Sequence, residues 1–207
     1  MLYPFGEKWR VGQFLDCYSR IIFLDADIIV RDSAPNLFDL VPENTIGLHD
    51  DLPYNSAGYA WYFTETEQVQ RSQGFRLQAL PYCLNTGIIV IGQQHKDIFN
   101  PPEKPFQALH CFEQHLINCR IFQNNYPVFK LPVNIHWQHW LDKQRKIYDQ
   151  GQFLHFSGEL DHKARLKMMR DALPKNKKDC GCKKKKLADP TRIKALLSQA
   201  KKSGFAI

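Results

Sequence analysis

The 207-residue chain is 43% hydrophobic and 13% aromatic, ample for one sizeable core plus an appendage, so it should fold as a globule rather than stay disordered. Its formal net charge of +7 sits at one end: residues 173–207 hold ten lysines and Arg192 against Asp179 and Asp189, a net +9, leaving −2 for residues 1–172. Attraction to nucleic acid or acidic lipid is thereby excluded for the body and belongs to the tail.

In chain order, residues 7–17 put Trp9, Phe14 and Cys17 among polar neighbours at spacings an amphipathic helix can use, although Gly12 weakens it. Ile21–Leu24 is a short, wholly apolar run, expected to be a strand buried on both faces of a parallel sheet, and it stops at Asp25 and Asp27. In an extended segment those carboxylates point to one side while Ala26 turns away and leaves room for a ligand. Open α/β sheets bind ligands at such carboxyl ends. Two hard oxygen donors with no cation beside them repel each other, and a divalent ion such as Mn²⁺ or Mg²⁺ on a diphosphate would relieve that cost. The plainer reading is a surface turn with two solvated acids.

Leu37, Phe38 and Leu40 suggest a short helix, and Thr45–Leu48 a strand ending at His49-Asp50-Asp51. Residues 52–80 lack a clean period and read as a long functional loop with a helix around Thr64–Gln73. A second buried strand runs through Tyr82–Ile91, with Asn85-Thr86-Gly87 at its entrance. The best helix of the body is predicted over residues 105–119, with Phe106, Leu109, Phe112, Leu116 and Cys119 near helical spacing. Short strands follow at Val128–Leu131 and Phe153–Phe156.

Composition breaks at Leu173-Pro174, which divides the chain into a domain over 1–172 and a basic tail over 173–207. Within the tail, Asp189-Pro190 offers an N-cap and an N1 proline, and Ile193, Leu196, Leu197 and Ala200 share one face of a short basic helix. The tail is either solvated or docked on an anionic membrane surface, at about 1 kcal/mol per basic residue. Nucleic acid is disfavoured because no aromatics interleave the lysines. Cys180-Gly-Cys182 is too short to hold a metal without two further ligands. The six cysteines lack the dense spacing of a secreted scaffold and fit a reducing compartment. No stretch approaches the ~18 apolar residues of a membrane span, and Met1–Lys8 has no signal-peptide core. A cytoplasmic protein, soluble or peripheral to a membrane, is expected.

Five pieces now stand in a fixed order: Arg20-Ile-Ile-Phe-Leu-Asp-Ala-Asp-Ile-Ile-Val, Leu84-Asn-Thr-Gly-Ile, Glu113-Gln-His-Leu-Ile-Asn, Leu131-Pro-Val-Asn and His155-Phe-Ser-Gly. In these the sequence, over residues 5–165, resembles the family 8 glycosyltransferases, the glycogenin-like and bacterial lipooligosaccharide galactosyltransferase-like enzymes of GT-A fold. The resemblance implies an α/β domain with a mixed sheet flanked by helices. It implies Mn²⁺ or Mg²⁺ held by Asp25, Asp27 and His155 on the diphosphate of a nucleotide sugar, most often a UDP-sugar. Imidazole with carboxylate suits Mn²⁺, and the ion would offset charge on the departing diphosphate. Lys8 or Arg10 matches the family's basic residue near the phosphates, alongside Ala26 and Gly158. Asn85, Glu113 and Gln114 match its sugar-facing residues, and Gly87 lets backbone approach closely. The implied reaction retains anomeric configuration by a front-face route to a glycan, lipid-linked or protein acceptor, with no carboxylate nucleophile.

Three departures qualify the match. The chain starts almost at the helix before the Asp-x-Asp strand, whereas the family has earlier strand-helix units for the nucleoside, so an N-terminally truncated fold is expected. Arg76–Leu84 lacks the family's acid, which leaves the donor sugar open. The family's closing lysine is replaced by Asp161, with Lys163 two places later and His162 an alternative. The rival from another class is a non-catalytic, transferase-derived domain that binds sugar or a partner.

Overall fold

A computed structural model describes residues 6–54, 60–105, 109, 111–142, 146–158 and 161–173. The tail beyond Leu173, with its expected basic helix, Cys180 and Cys182, lies outside the described residues. The body is of mixed α/β class. In chain order its strands are β1 (Arg20–Leu24), β2 (Ile28–Val30), β3 (Ile46–Asp50), β4 (Leu84–Gly92), β5 (Val128–Lys130), β6 (His136–Gln138) and β7 (Phe153–His155). Its α-helices are α1 (Leu37–Leu40), α2 (Ala60–Gln73), α3 (Phe112–Gln123) and α4 (His162–Ala172).

The strands form a four-stranded sheet in the order β1-β4-β3-β5 and a three-stranded sheet in the order β2-β7-β6. β4 is the axis of the larger one. Its run Ile88-Ile89-Val90-Ile91 is wholly buried because alternate residues serve two cores. Ile89 and Ile91 pack with Val69, Phe112 and Leu116 on one face, while Ile88 and Val90 pack with Leu37, Leu131 and Phe153 on the other.

β1 divides its side chains the same way, Ile21 and Phe23 to the first core and Ile22 and Leu24 to the second. The expectation of a parallel sheet is corrected here. β1 pairs antiparallel with β4, Leu24 opposite Ile88, and is an edge strand among the described residues. It is therefore only half-buried. The parallel pairs are β3 with β5 and β6 with β7.

Two helical expectations also change. Residues Gly6–Asp16 form a 3-10 helix whose buried positions are Lys8, Val11, Gly12 and Leu15, whereas Phe14 and Cys17 lie exposed. That register turns Lys8 inward and leaves Arg10 outside, paired with Glu7 at 3.1 Å. α3 starts at Phe112 rather than at residue 105, because Cys111 takes a left-handed φ of 54° that interrupts the helical path. Residues 106–108 and 110 of the predicted helix are outside the described set.

No helix among the described residues is long and apolar enough to cross a membrane. Cys17, Cys83, Cys111 and Cys119 form no disulfide.

Candidate metal centre

The segment between β1 and β2 is a turn, not the extended strand expected from the alternation of Asp25, Ala26 and Asp27. Asp25 N–H donates to the Gly87 carbonyl at 2.8 Å, so Asp25 is still tied to the large sheet. The Asp27 carbonyl accepts from Phe156 N–H at 3.0 Å, so Asp27 already belongs to the small one. Ile28 N–H closes the turn on the Asp25 carbonyl at 3.2 Å. The acid pair thus sits where the chain steps between sheets, and Ala26 at its apex is exposed.

The next pairing in that small sheet places Ile28 opposite His155, which brings the end of β7 alongside the acids. His155 Nε2 lies 3.3 Å from Asp27 Oδ1 and 3.8 Å from Asp25 Oδ2. One ligand atom from each of the three residues lies within 4.8 Å of the others. The plainer reading holds for the turn, but the acids are only partly solvated, their side chains 28% and 20% exposed.

Gly87 makes the space for that imidazole. A Cβ there would lie 2.2 Å from His155 Cε1 and 2.6 Å from its Nδ1, so only glycine leaves the ring where it is. The close approach at Gly87 is therefore by a side chain of the protein. On the ring's other nitrogen, His155 Nδ1 and His136 Nε2 are 3.0 Å apart. His136 is fully buried, and burial together with His155 and His49 holds it neutral far below the usual imidazole range.

Cations stand on the outer flanks of the acids. Lys8 Nζ is 3.2 Å from Asp25 Oδ1 and 3.5 Å from Glu113 Oε1, and it donates to Thr86 Oγ1 at 3.1 Å. Glu113, buried on α3, is thereby a holder of Lys8 rather than an exposed polar flank. Beside it, Gln114 Oε1 accepts from Thr86 N–H at 3.3 Å. Arg165 Nη1 lies 3.4 Å from Asp27 Oδ2, and Arg165 Nη2 donates to the Gly158 carbonyl at 3.0 Å. The cation that α4 delivers to the acid pair is Arg165, while Lys163, expected near the diphosphate, is exposed two residues earlier, half a helical turn round. Gly158 has φ +99° and packs where a Cβ would strike Trp140 Cβ at 2.9 Å, so it holds the turn that positions Arg165's acceptor.

Burial pushes the Asp25 carboxyl above the ordinary carboxylate range, even though Lys8 and His155 pull it down. Burial acts on Asp27 in the same sense, but His155 and then Arg165 outweigh it and the carboxyl is lowered.

A polar network that the sequence reading did not anticipate continues from Asn85. Its Nδ2 donates to Asp51 Oδ2 at 3.2 Å and to Gln138 Oε1 at 2.8 Å, while its Oδ1 accepts from Gly87 N–H at 2.9 Å. Gln138 Nε2 donates to Asp51 Oδ1, and Trp140 Nε1 donates to Gln138 Oε1 at 2.7 Å. Burial pushes the Asp51 carboxyl up to about 8, against the two amide donors that favour its anion. Asp51 was visible as a strand-end acid beside Asp50. His136, Gln138 and Arg165 carried no such signal, because a three-residue strand and an exposed-looking helix do not declare their inward faces.

Two carboxylates from one turn and an imidazole nitrogen from β7 together suit a divalent ion of hard or borderline character, Mn²⁺ or Mg²⁺. Two observations favour the fit: ligand atoms of all three residues within 4.8 Å of one another, and a cradle at Gly87 that only a missing Cβ allows.

Comparison with known proteins agrees with this geometry. The model of Glycosyl transferase family 8 matches residues 8–98, which includes Lys8, Asp25, Asp27, Asn85 and Gly87. No curated protein matches the chain. Among solved structures, the chain is similar to "WbbM bifunctional glycosytransferase apo structure" at a TM-score of 0.51 and 16% identity, which supports a GT-A-type fold. That match covers 74% of this chain and 31% of the other, so the chain spans about a third of that protein's length. The mouse xyloside xylosyltransferase 1 apo structure matches 75% of this chain and 62% of its own, at 15% identity and a TM-score of 0.41.

Proposed function

We propose, from the match of residues 8–98 to the family 8 glycosyltransferase model, that the chain transfers a hexosyl group, metal-dependently and with retention, from a nucleotide-diphosphate sugar. The donor is a UDP-sugar and the acceptor a glycan, a lipid-linked glycan or a protein. The observation that carries the reading is the convergence of Asp25, Asp27 and His155 from two sheets onto one point.

In this reading Asp25, Asp27 and His155 hold Mn²⁺ or Mg²⁺. The ion's contribution when bound is to offset charge on the leaving diphosphate. Lys8 and Arg165 flank the acids and are the cations that orient the phosphates, Arg165 taking the part expected of Lys163. Glu113 keeps Lys8 extended into the site, and its pairing there leaves it no nucleophile's role. Gln114 has its carboxamide oxygen engaged by Thr86 N–H, so its NH₂ group is the end that it offers the sugar. Asn85 spends its own NH₂ on Asp51 and Gln138, so it acts on the sugar through that network, as a positioning residue.

The test is isothermal titration of UDP with and without Mn²⁺, on the wild-type chain and on Asp27→Ala. UDP binding that requires Mn²⁺ and is lost in the variant is the expected result. Binding that is absent, or indifferent to the ion and to the substitution, sinks the proposal.

A further inference from the structure

Resting on the metal reading above, we infer that His136 is the positioning residue that fixes the ring orientation and the tautomer of His155 for the ion. An imidazole that gives Nε2 to a metal must carry its proton on Nδ1, and in a buried site that N–H needs an acceptor. His136 Nε2, 3.0 Å away, is that acceptor. The two rings lie nearly parallel, at 18° with centroids 5.2 Å apart, so His136 also restricts rotation of His155. Both histidines project from neighbouring parallel strands, His136 from β6 and His155 from β7.

The proton inventory gives this pair two arrangements. The ion-free arrangement that leaves no buried N–H without an acceptor has the His155 proton on Nε2, facing Asp27 Oδ1 at 3.3 Å, and His136 Nε2–H donating to His155 Nδ1. His136 Nδ1 is then a bare lone pair, and it has no hydrogen-bond partner. An ion held at His155 Nε2 would need that nitrogen unprotonated, with the His155 proton on Nδ1 as the donor. Neutral His136 must then accept at Nε2 and hold its own proton at Nδ1, the atom with nothing to receive it. One proton is lost at His155 Nε2, the His136 Nε2 proton passes to His155 Nδ1, and one is taken up at His136 Nδ1, so the net count is unchanged. The buried, unanswered N–H opposes ion binding, while the acceptor at Nε2 favours it.

Substitutions separate the acceptor from the ring. His136→Gln puts a carboxamide oxygen near the position of Nε2 without the second ring nitrogen. His136→Phe keeps the stacked ring and removes the acceptor. Mn²⁺ affinity, read by electron paramagnetic resonance of the unbound ion, is expected to fall about 10- to 100-fold in His136→Phe and to stay within about threefold of wild type in His136→Gln. A thermal melt in EDTA controls for folding. Equal affinity in all three chains overturns the inference and leaves the metal reading intact, as does an equal loss in both variants, which would make His136 a packing residue. No Mn²⁺ binding by wild type overturns both. Long-range ¹⁵N–¹H correlation on the unmodified chain gives an independent check: with Mg²⁺ and UDP added, the proton of His155 should move from Nε2 to Nδ1 and that of His136 to its Nδ1. Spectra in which both rings keep their ion-free tautomers while the ligand saturates overturn it as well.

Discussion

Gly87→Ala is the sharpest perturbation of the site, because it adds one methyl group and no charge. The added Cβ would stand 2.2 Å from His155 Cε1 and 2.6 Å from Nδ1, both inside the distance at which something must move. β4 cannot move easily, since it is held by β1 on one edge and β3 on the other and is buried along its whole length. His155 must therefore yield, and yielding breaks its contact with His136 and swings Nε2 away from the acids. Overpacking of this kind costs about 1–3 kcal/mol of folding stability. A displaced ligand should reduce Mn²⁺ affinity at least about tenfold, since each 1.4 kcal/mol is a factor of ten. Urea denaturation in EDTA measures the first effect and titration with Mn²⁺ the second. If Gly87→Ala binds Mn²⁺ as wild type does and unfolds at the same urea concentration, then His155 does not occupy that cradle and the three-ligand site is wrong.

Two further outcomes follow from the same geometry. Asp27→Asn keeps the shape of a residue only 20% exposed but removes a charged donor, so Mn²⁺-dependent UDP binding should fall at least about tenfold with little change in melting temperature; unchanged UDP binding in a titration would refute the assignment. Asp51 holds its proton in the fold up to about pH 8 but sheds it near 3.8 when unfolded, so the native state binds the extra proton between those values and stability falls as pH rises through that window. Asp51→Asn should remove that slope, a difference on the order of a few kcal/mol between pH 5 and 8, and parallel slopes for the two chains in denaturant titrations would refute it.

The parts of the fold and the site that were legible in the sequence are those encoded locally. β4, α1, β3 and β7 are apolar runs with turn residues at their ends, and the family motifs named the acids and His155 directly. Pairing direction was not legible, because an apolar run such as Ile21–Leu24 packs its two faces equally well beside a parallel or an antiparallel neighbour. Nor was the start of α3, where one residue, Cys111, takes a positive φ that its type does not advertise. β6 escaped because His136-Trp137-Gln138 reads as polar, yet all three side chains are buried by partners distant in sequence: His155, Phe156, Asp51 and Asn85. The Arg165 pairing carried no signal because helical phase relative to the acids depends on the turn at Gly158, and a sequence motif does not carry that angle.

Ion pairs already occupy both acids, and whether they exclude the ion is a matter of which oxygens they use and how strongly. Arg165 meets Asp27 at Oδ2, whereas His155 faces Oδ1, so one oxygen of that carboxylate still points at the imidazole. The Arg165 side chain is about a third exposed, and pairs of that kind contribute roughly 0–1 kcal/mol. An ion present at a thousand times its Kd contributes about 4 kcal/mol and wins. Arg165 then has a net cost to metal binding and a net benefit to phosphate binding, since like charges meet in the first case and opposite charges in the second. The two effects have opposite signs in one variant: Arg165→Gln should tighten Mn²⁺ alone by about two- to fivefold, following a pair worth at most ~1 kcal/mol, and should weaken UDP in saturating Mn²⁺ by at least as much. A variant that weakens both equally would mean that Arg165 only braces the turn at Gly158, and a variant that changes neither would place it outside the site.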